Sequence, residues 1–215
     1  MLESRTAVAL RLSKIRQHWV ESPELFQAFE TRKVFLNIPY TPDYWKFEVA
    51  ICTTLVAYDL IPITAKHVYR ETVILDKIIE LIGKCGYGIS DLSFPTKMNL
   101  PFEHGIILGT KGVSKSCALA TSFEVIKEHM SDLQGLFIKE HGDNPAKLVV
   151  ELSQWLLANA TSEIHAYRRD IQPDSITAVL DSAEAVLRAN PSYGAFASRF
   201  DELWLEAPTS LERFA

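Results

Sequence analysis

The chain has 215 residues, 47% of them apolar and 23% charged. That is a globular composition with ample material for a core, and it excludes a disordered chain. The net charge is -5, from 22 basic and 27 acidic residues without a basic block, so nucleic acid is not an expected partner. No apolar run approaches the roughly 18 residues that cross a bilayer, and no membrane association is expected.

Three cysteines, Cys52, Cys85 and Cys117, make an odd, widely spaced set without a C-x-x-C pair. Neither a disulfide framework nor a zinc knuckle is indicated, and buried thiols in a reducing, cytoplasmic setting are the expectation. The histidines have no metal-ligand spacing, so no metal and no cofactor is expected.

Val8, Leu12, Ile15 and Trp19 recur at helical spacing. They predict an amphipathic helix over 4–20 and a helical extension over 1–32. Arg5, Arg11, Lys14 and Arg16 interrupt this stretch, so it is not a secretory signal. From Lys33 the pattern alternates between short β-rich runs and helical stretches. Strands are predicted at 33–38, 60–64, 87–92, 116–121 and 135–139. Helices are predicted between them at 44–58, 73–84, 101–110 and 123–133, with a last one at 145–160. Asp43 and Thr72 are candidate N-caps, Gly86 a helix stop, and Pro101 and Pro145 first-turn prolines.

Strand, helix, strand in repetition requires parallel pairing through right-handed crossovers. The expected fold is therefore a flavodoxin-like, doubly wound five-stranded parallel sheet of order 2-1-3-4-5, occupying 33–160. The stretch 167–173 is polar and reads as a linker within a C-terminal helical extension over 161–215. There Ile176, Val179, Leu180, Ala183, Val186 and Leu187 form one stripe, and Phe196, Phe200 and Trp204 another. These helices either pack back on the sheet or form a partner surface.

In this order the chain reverses direction between strands one and three, and ligands bind beyond the carboxyl ends of those strands. Three segments meet there. Asn37, Pro39, Tyr40 and Asp43 follow strand one; Asp91 and Ser93 end strand three; Asn99, Phe102 and Glu103 open the next helix. Glu103 is the sharpest candidate, because a partly enclosed carboxylate can stabilise or attack an anomeric carbon. Asp91 is a candidate to hold ribose hydroxyls or to transfer a proton. Both acids have a structural alternative. With Pro101 opening the helix, Glu103 stands at its third position, where acidic residues cap, and Asp91 ends a strand as many turn aspartates do. Arg70, after strand two, is a candidate phosphate contact. His104 points another way round the helix and has a surface or supporting role. G-x-G-x-x-G and Walker signatures are absent.

The run Val34-Phe35-Leu36-Asn37, then Pro39-Tyr40 and Asp43, resembles the opening strand and loop of Toll/interleukin receptor (TIR) domains. Ile74-Leu75-Asp76-Lys77-Ile78-Ile79, Cys85-Gly86-Tyr87-Gly88-Ile89-Ser90 and Phe102-Glu103 follow in the TIR order of helix, strand and glutamate-bearing helix. Ser90-Asp91 with Phe102-Glu103-His104-Gly105 is also similar to nucleoside 2-deoxyribosyltransferases, and the whole resembles bacterial TIR-like proteins of undefined activity. The resemblance covers roughly residues 33–157. It implies cleavage of an N-glycosidic bond in NAD or another nucleoside or nucleotide, in bacterial defence or signalling. Glu103 would work at the anomeric carbon, Asp91 at the ribose, and Asn37 and Tyr40 at the base or phosphate side. NAD enters as a substrate, and self-association into a homo-oligomer is implied. The alternative is a non-catalytic nucleotide-sensing or protein-interaction module whose partner meets the C-terminal helices.

Overall fold

The structure is a computed structural model and describes residues 31–65, 74–94, 96–130, 133 and 138–189. The strands are β1 (Lys33–Asn37), β2 (Ile61–Thr64), β3 (Tyr87–Asp91), β4 (Ser116–Ala120) and β5 (Ile138–Glu140). The helices are α1 (Trp45–Ala57), α2 (Ile74–Lys84), α3 (Asn99–Lys111), α4 (Phe123–His129), α5 (Pro145–Asn159), α6 (Pro173–Thr177) and α7 (Leu180–Ala189). All five strands pair in parallel, in the order 2-1-3-4-5. This is the doubly wound α/β fold expected from the alternation of elements.

The strands read as continuous apolar runs because both faces of the sheet are covered. On one face Val34, Leu36, Tyr87, Ile89, Cys117 and Leu119 pack in a single cluster with residues of α1 and α5. Helix α1 is apolar nearly all round, and Val49 through Ala57 are buried without a break, as befits a helix clad by other helices. On the other face Phe35 meets Ile78, Ile82 and Ile107 of α2 and α3. Ala118, Ala120 and Ile138 meet Leu100 and Ile126.

The stretch read as a polar linker is instead packed. Ile171 lies against the α1–α5 cluster, and the Tyr58 hydroxyl donates to the Ile171 carbonyl at 3.2 Å. Ile176, Ala183 and Leu187 belong to that same cluster, and the Arg188 guanidinium lies 4.9 Å above the Trp45 ring. The helical stripe from Ile176 thus packs back onto α1, as two helices rather than one. The N-terminal helix over 4–20, the Thr72 cap and the stripe of Phe196, Phe200 and Trp204 lie outside the described residues.

The α2–β3 turn is tight. A Cβ at Gly86 would stand 1.9 Å from the Thr31 carbonyl oxygen, and that oxygen is backbone with nowhere to go. Gly86→Ala is therefore expected to cost about 2 kcal/mol or more, read from the urea unfolding midpoint. A loss under about 0.5 kcal/mol, the size of an ordinary surface change, would mean the turn opens freely. No helix among the described residues is long and apolar enough to cross a membrane.

Candidate functional site

The crevice beyond β1 and β3 is tied together by Asn37. Its amide nitrogen donates to the Leu100 carbonyl at 2.8 Å and to the Ser90 hydroxyl at 3.1 Å. Asn37 and Ser90 are register partners at the ends of β1 and β3, so this one side chain fixes the first turn of α3 to both strand ends. Its Oδ1 is buried without a hydrogen-bond partner. Pro39 is buried beside it, whereas Asp43 is exposed in the 3-10 turn Pro42–Tyr44 and caps nothing.

Helix α3 begins at Asn99, not at Pro101. The first four N–H groups of a helix lack an intrahelical acceptor, so a proline at the third position loses no bond. Glu103 therefore stands fifth, beyond the capping position the sequence suggested. It is half-buried. Burial raises its proton affinity above the ordinary carboxylate value, and a hydrogen bond from the Asn99 side chain partly offsets this. Three apolar side chains of the flanking segments are open: Tyr40, after β1, is 38% exposed, and Met98 and Phe102, at the start of α3, are 74% and 57% exposed. Arg70 lies outside the described residues.

Asp91 occupies a different environment. Side chains alternate along a strand, so Ser90 faces α3 while Asp91 faces α1, on the opposite side of the sheet from Glu103. The Asp91 side chain is wholly buried. Its Oδ2 accepts from the Tyr44 hydroxyl at 2.6 Å and lies 3.3 Å from His141 Nε2. Its Oδ1 accepts from the Ser93 N–H at 2.9 Å and from the Ser93 hydroxyl at 2.5 Å. Ser93 Oγ accepts in turn from the Thr121 N–H at 2.7 Å and stands 3.1 Å from His141 Nε2. The Phe47 ring covers His141 at 4.9 Å. Burial, reinforced by the Asp91 charge, holds the Tyr44 hydroxyl well above its ordinary pKa, so it stays a donor.

Aspartate, histidine and serine together suggest a nucleophile triad, but the geometry is different. A triad uses one ring nitrogen for the carboxylate and the other for the serine. Here Nε2 alone faces both, and the Ser93 hydroxyl already donates to Asp91. The cluster is a clasp that joins the carboxyl ends of β3, β4 and β5 to the turn before α1. Tyr44 and His141 were not identified from the sequence. The signal for His141 was its place one residue past β5, two beyond Lys139, which stands in the register row of Asp91 at the end of β3. A strand predicted at 135–139, rather than Ile138–Glu140, obscured it.

His104, expected at the surface or in support, is buried. Its Nδ1 lies 2.9 Å from the Ser90 hydroxyl. Burial lowers its pKa from 6.5 to about 4. The unfolded chain therefore takes up this proton at higher pH than the folded protein does. Stability is intact above pH 6.5 and falls as pH drops toward 4, by up to about 3 kcal/mol from this residue. His104→Asn keeps an acceptor for Ser90 but cannot titrate. Urea unfolding measured between pH 7 and 4.5 should be visibly less pH-dependent in that variant; parallel curves would refute the assignment.

Among the described residues no group of three His, Cys, Asp or Glu side chains is arranged to hold a metal ion. Fold and site together define a doubly wound α/β protein with a half-buried glutamate at its strand-reversal crevice and a buried aspartate clasp behind it. No family model, no curated protein and no solved structure matches the chain.

Proposed function

We propose that the protein binds a nucleoside or nucleotide, NAD among the candidates, beyond β1 and β3 and cleaves its N-glycosidic bond through Glu103. The observation that carries this reading is Glu103 itself. It is a carboxylate half-removed from water at the crevice where doubly wound sheets bind ligands, and its proton affinity is raised by burial. Such a group is poised for chemistry rather than for solvation. Tyr40, Phe102 and Met98 offer apolar surface on which a base can lie. The resemblance of its order of parts to that of TIR and deoxyribosyltransferase domains supports the same reading.

In the reaction, the C1′–N bond breaks and its electron pair leaves with the base. Nicotinamide leaves NAD already neutral, whereas the base of a neutral nucleoside takes up a proton, which the adding water or hydroxyl releases. The ionised Glu103 faces the electron-poor C1′ and stabilises or captures it, and water or an acceptor hydroxyl then adds there. Asn99 orients the carboxylate, and Asn37 anchors the helix turn that carries it. Asp91 acts behind the site as a positioning residue, because its oxygens are already engaged.

The test is incubation of the purified protein with NAD and with a panel of nucleosides and nucleotides, at high protein concentration to favour self-association, followed by chromatography for released base. Base release that vanishes in Glu103→Gln supports the reading. Binding without release would assign the crevice to nucleotide sensing.

A further inference from the structure

The strand that leads into the crevice carries an unexpected pair of residues. A sheet covered on both faces is built from apolar side chains nearly throughout, yet β3 turns Gly88 and Ser90 toward α3, two residues apart and so on the same face. Both positions receive the buried residues of α3, which are Leu100, His104 and Ile107, spaced as one helix face. A Cβ at Gly88 would stand 2.4 Å from Ile107 Cγ2, so the missing side chain lets α3 lie close on the strand. Two residues further on, the Ser90 hydroxyl meets His104 Nδ1 at 2.9 Å.

That hydroxyl also accepts from the Asn37 amide at 3.1 Å, and the same amide donates to the Leu100 carbonyl at 2.8 Å. Leu100 and His104, one turn apart on α3, are thus fixed to the ends of β1 and β3 by a single connected set of bonds. Glu103 lies between them in the chain. The side chains of Asn37, Ser90 and His104 are all buried. Buried bonds of this kind hold one geometry, because a displaced partner has no water to turn to. Gly88 sets how close the helix lies, and Ser90 sets how far along the strand it sits.

We propose that Ser90 is the positioning residue of Glu103: its hydroxyl holds the opening turns of α3 in register with β3 and so aims the carboxylate at the anomeric carbon. This role rests on the reading of Glu103 as the reacting group. Ser90 is wholly buried, so it acts on the reaction through Glu103 alone.

The experiment compares the native chain with Ser90→Ala, which removes the hydroxyl, and Ser90→Thr, which keeps it. Each is assayed under conditions where urea unfolding shows it fully folded. With the most rapidly cleaved substrate of the nucleoside and nucleotide panel, Ser90→Ala should lower kcat about 10- to 100-fold and change KM by less than about twofold. Ser90→Thr should recover most of that loss. A second readout needs no turnover. The carboxyl carbon of Glu103, followed by NMR through a pH titration, should report a pKa above 4.5 in the native protein. In Ser90→Ala it should move toward 4.5 as the turn loosens and water reaches the group. The Glu140 carboxyl, at the end of the edge strand β5, should keep its curve. Unchanged kcat in Ser90→Ala overturns the positioning role and leaves the Glu103 reaction standing. An unmoved Glu103 titration overturns the role as well, and so does a loss shared equally by Ser90→Thr, because packing rather than the hydroxyl would then be at work. If the native protein releases no base from any substrate, the Glu103 reaction fails, and the titration alone decides whether Ser90 holds the carboxylate in place.

Discussion

Asp91→Ala should lower the unfolding free energy by about 3–5 kcal/mol, a large share of the roughly 5–15 kcal/mol that holds a typical domain together. The carboxylate receives the Tyr44 hydroxyl, the Ser93 N–H and the Ser93 hydroxyl, with His141 Nε2 3.3 Å away. Removing it strands these donors in a dry interior, and each unmet buried donor costs about 1–3 kcal/mol. The damage spreads because the clasp joins three strand ends: Ser93 also receives Thr121 N–H from beyond β4, and His141 N–H donates to the Ala120 carbonyl. Asp91→Asn is the sharper variant. It keeps the shape but turns one acceptor oxygen into a donor among donors, at an expected cost of about 3 kcal/mol. Urea unfolding reads both. If Asp91→Asn keeps its midpoint within an amount worth about 0.5 kcal/mol yet abolishes ligand binding, Asp91 is a ribose contact and the clasp is not its role.

Glu103→Gln carries the opposite signature. Turnover should fall about 10³-fold or more, because the amide has no charge with which to stabilise an oxocarbenium-like centre. Stability should hold or rise by no more than about 1 kcal/mol, because the substitution relieves a carboxylate that burial disfavours. The pH profile of the native protein adds a second check. Glu103 must be ionised to act, so activity falls as pH drops through its pKa, and burial has moved that pKa above the ordinary carboxylate value of 4.5. The acidic limb should lie correspondingly high in the native protein. Chromatography of released base measures the first effect and urea unfolding the second. Equal turnover in the two proteins would remove Glu103 from the reaction.

These contrasting expectations separate what one dimension encodes from what three dimensions decide. Strands 1 to 4 were legible as the β-rich runs around KVFLN, IPIT, YGISD and SCALA, because a sheet buried on both faces must be apolar throughout. Pro145 marked the start of α5 for a local reason, since its fixed φ suits a first helical position; the Asn144 side chain, which accepts the Ala146 and Lys147 N–H groups, completes the cap. Strand order followed as well, since alternation, parallel pairing and handedness leave few arrangements. With it came the meeting of the ends of β1 and β3 with the first turn of α3, which Asn37 ties together.

Other features depended on contacts distant in sequence. A proline is no guide to where a helix starts within its first turn, so the true position of Glu103 awaited the backbone. Whether an aspartate at a strand end faces solvent or an interior depends on what covers it. For Asp91 the cover is Tyr44, 47 residues earlier, and His141, on a strand whose bounds the local pattern did not fix. The polar stretch before α6 reads as a linker because it carries few apolar residues, yet Ile171 and the Tyr58 hydroxyl dock it on the core. Periodicity records which residues prefer burial and where the backbone turns. It does not record which buried polar groups meet, because that is set by strand register and by the face each side chain takes, and both exist only once the sheet has formed.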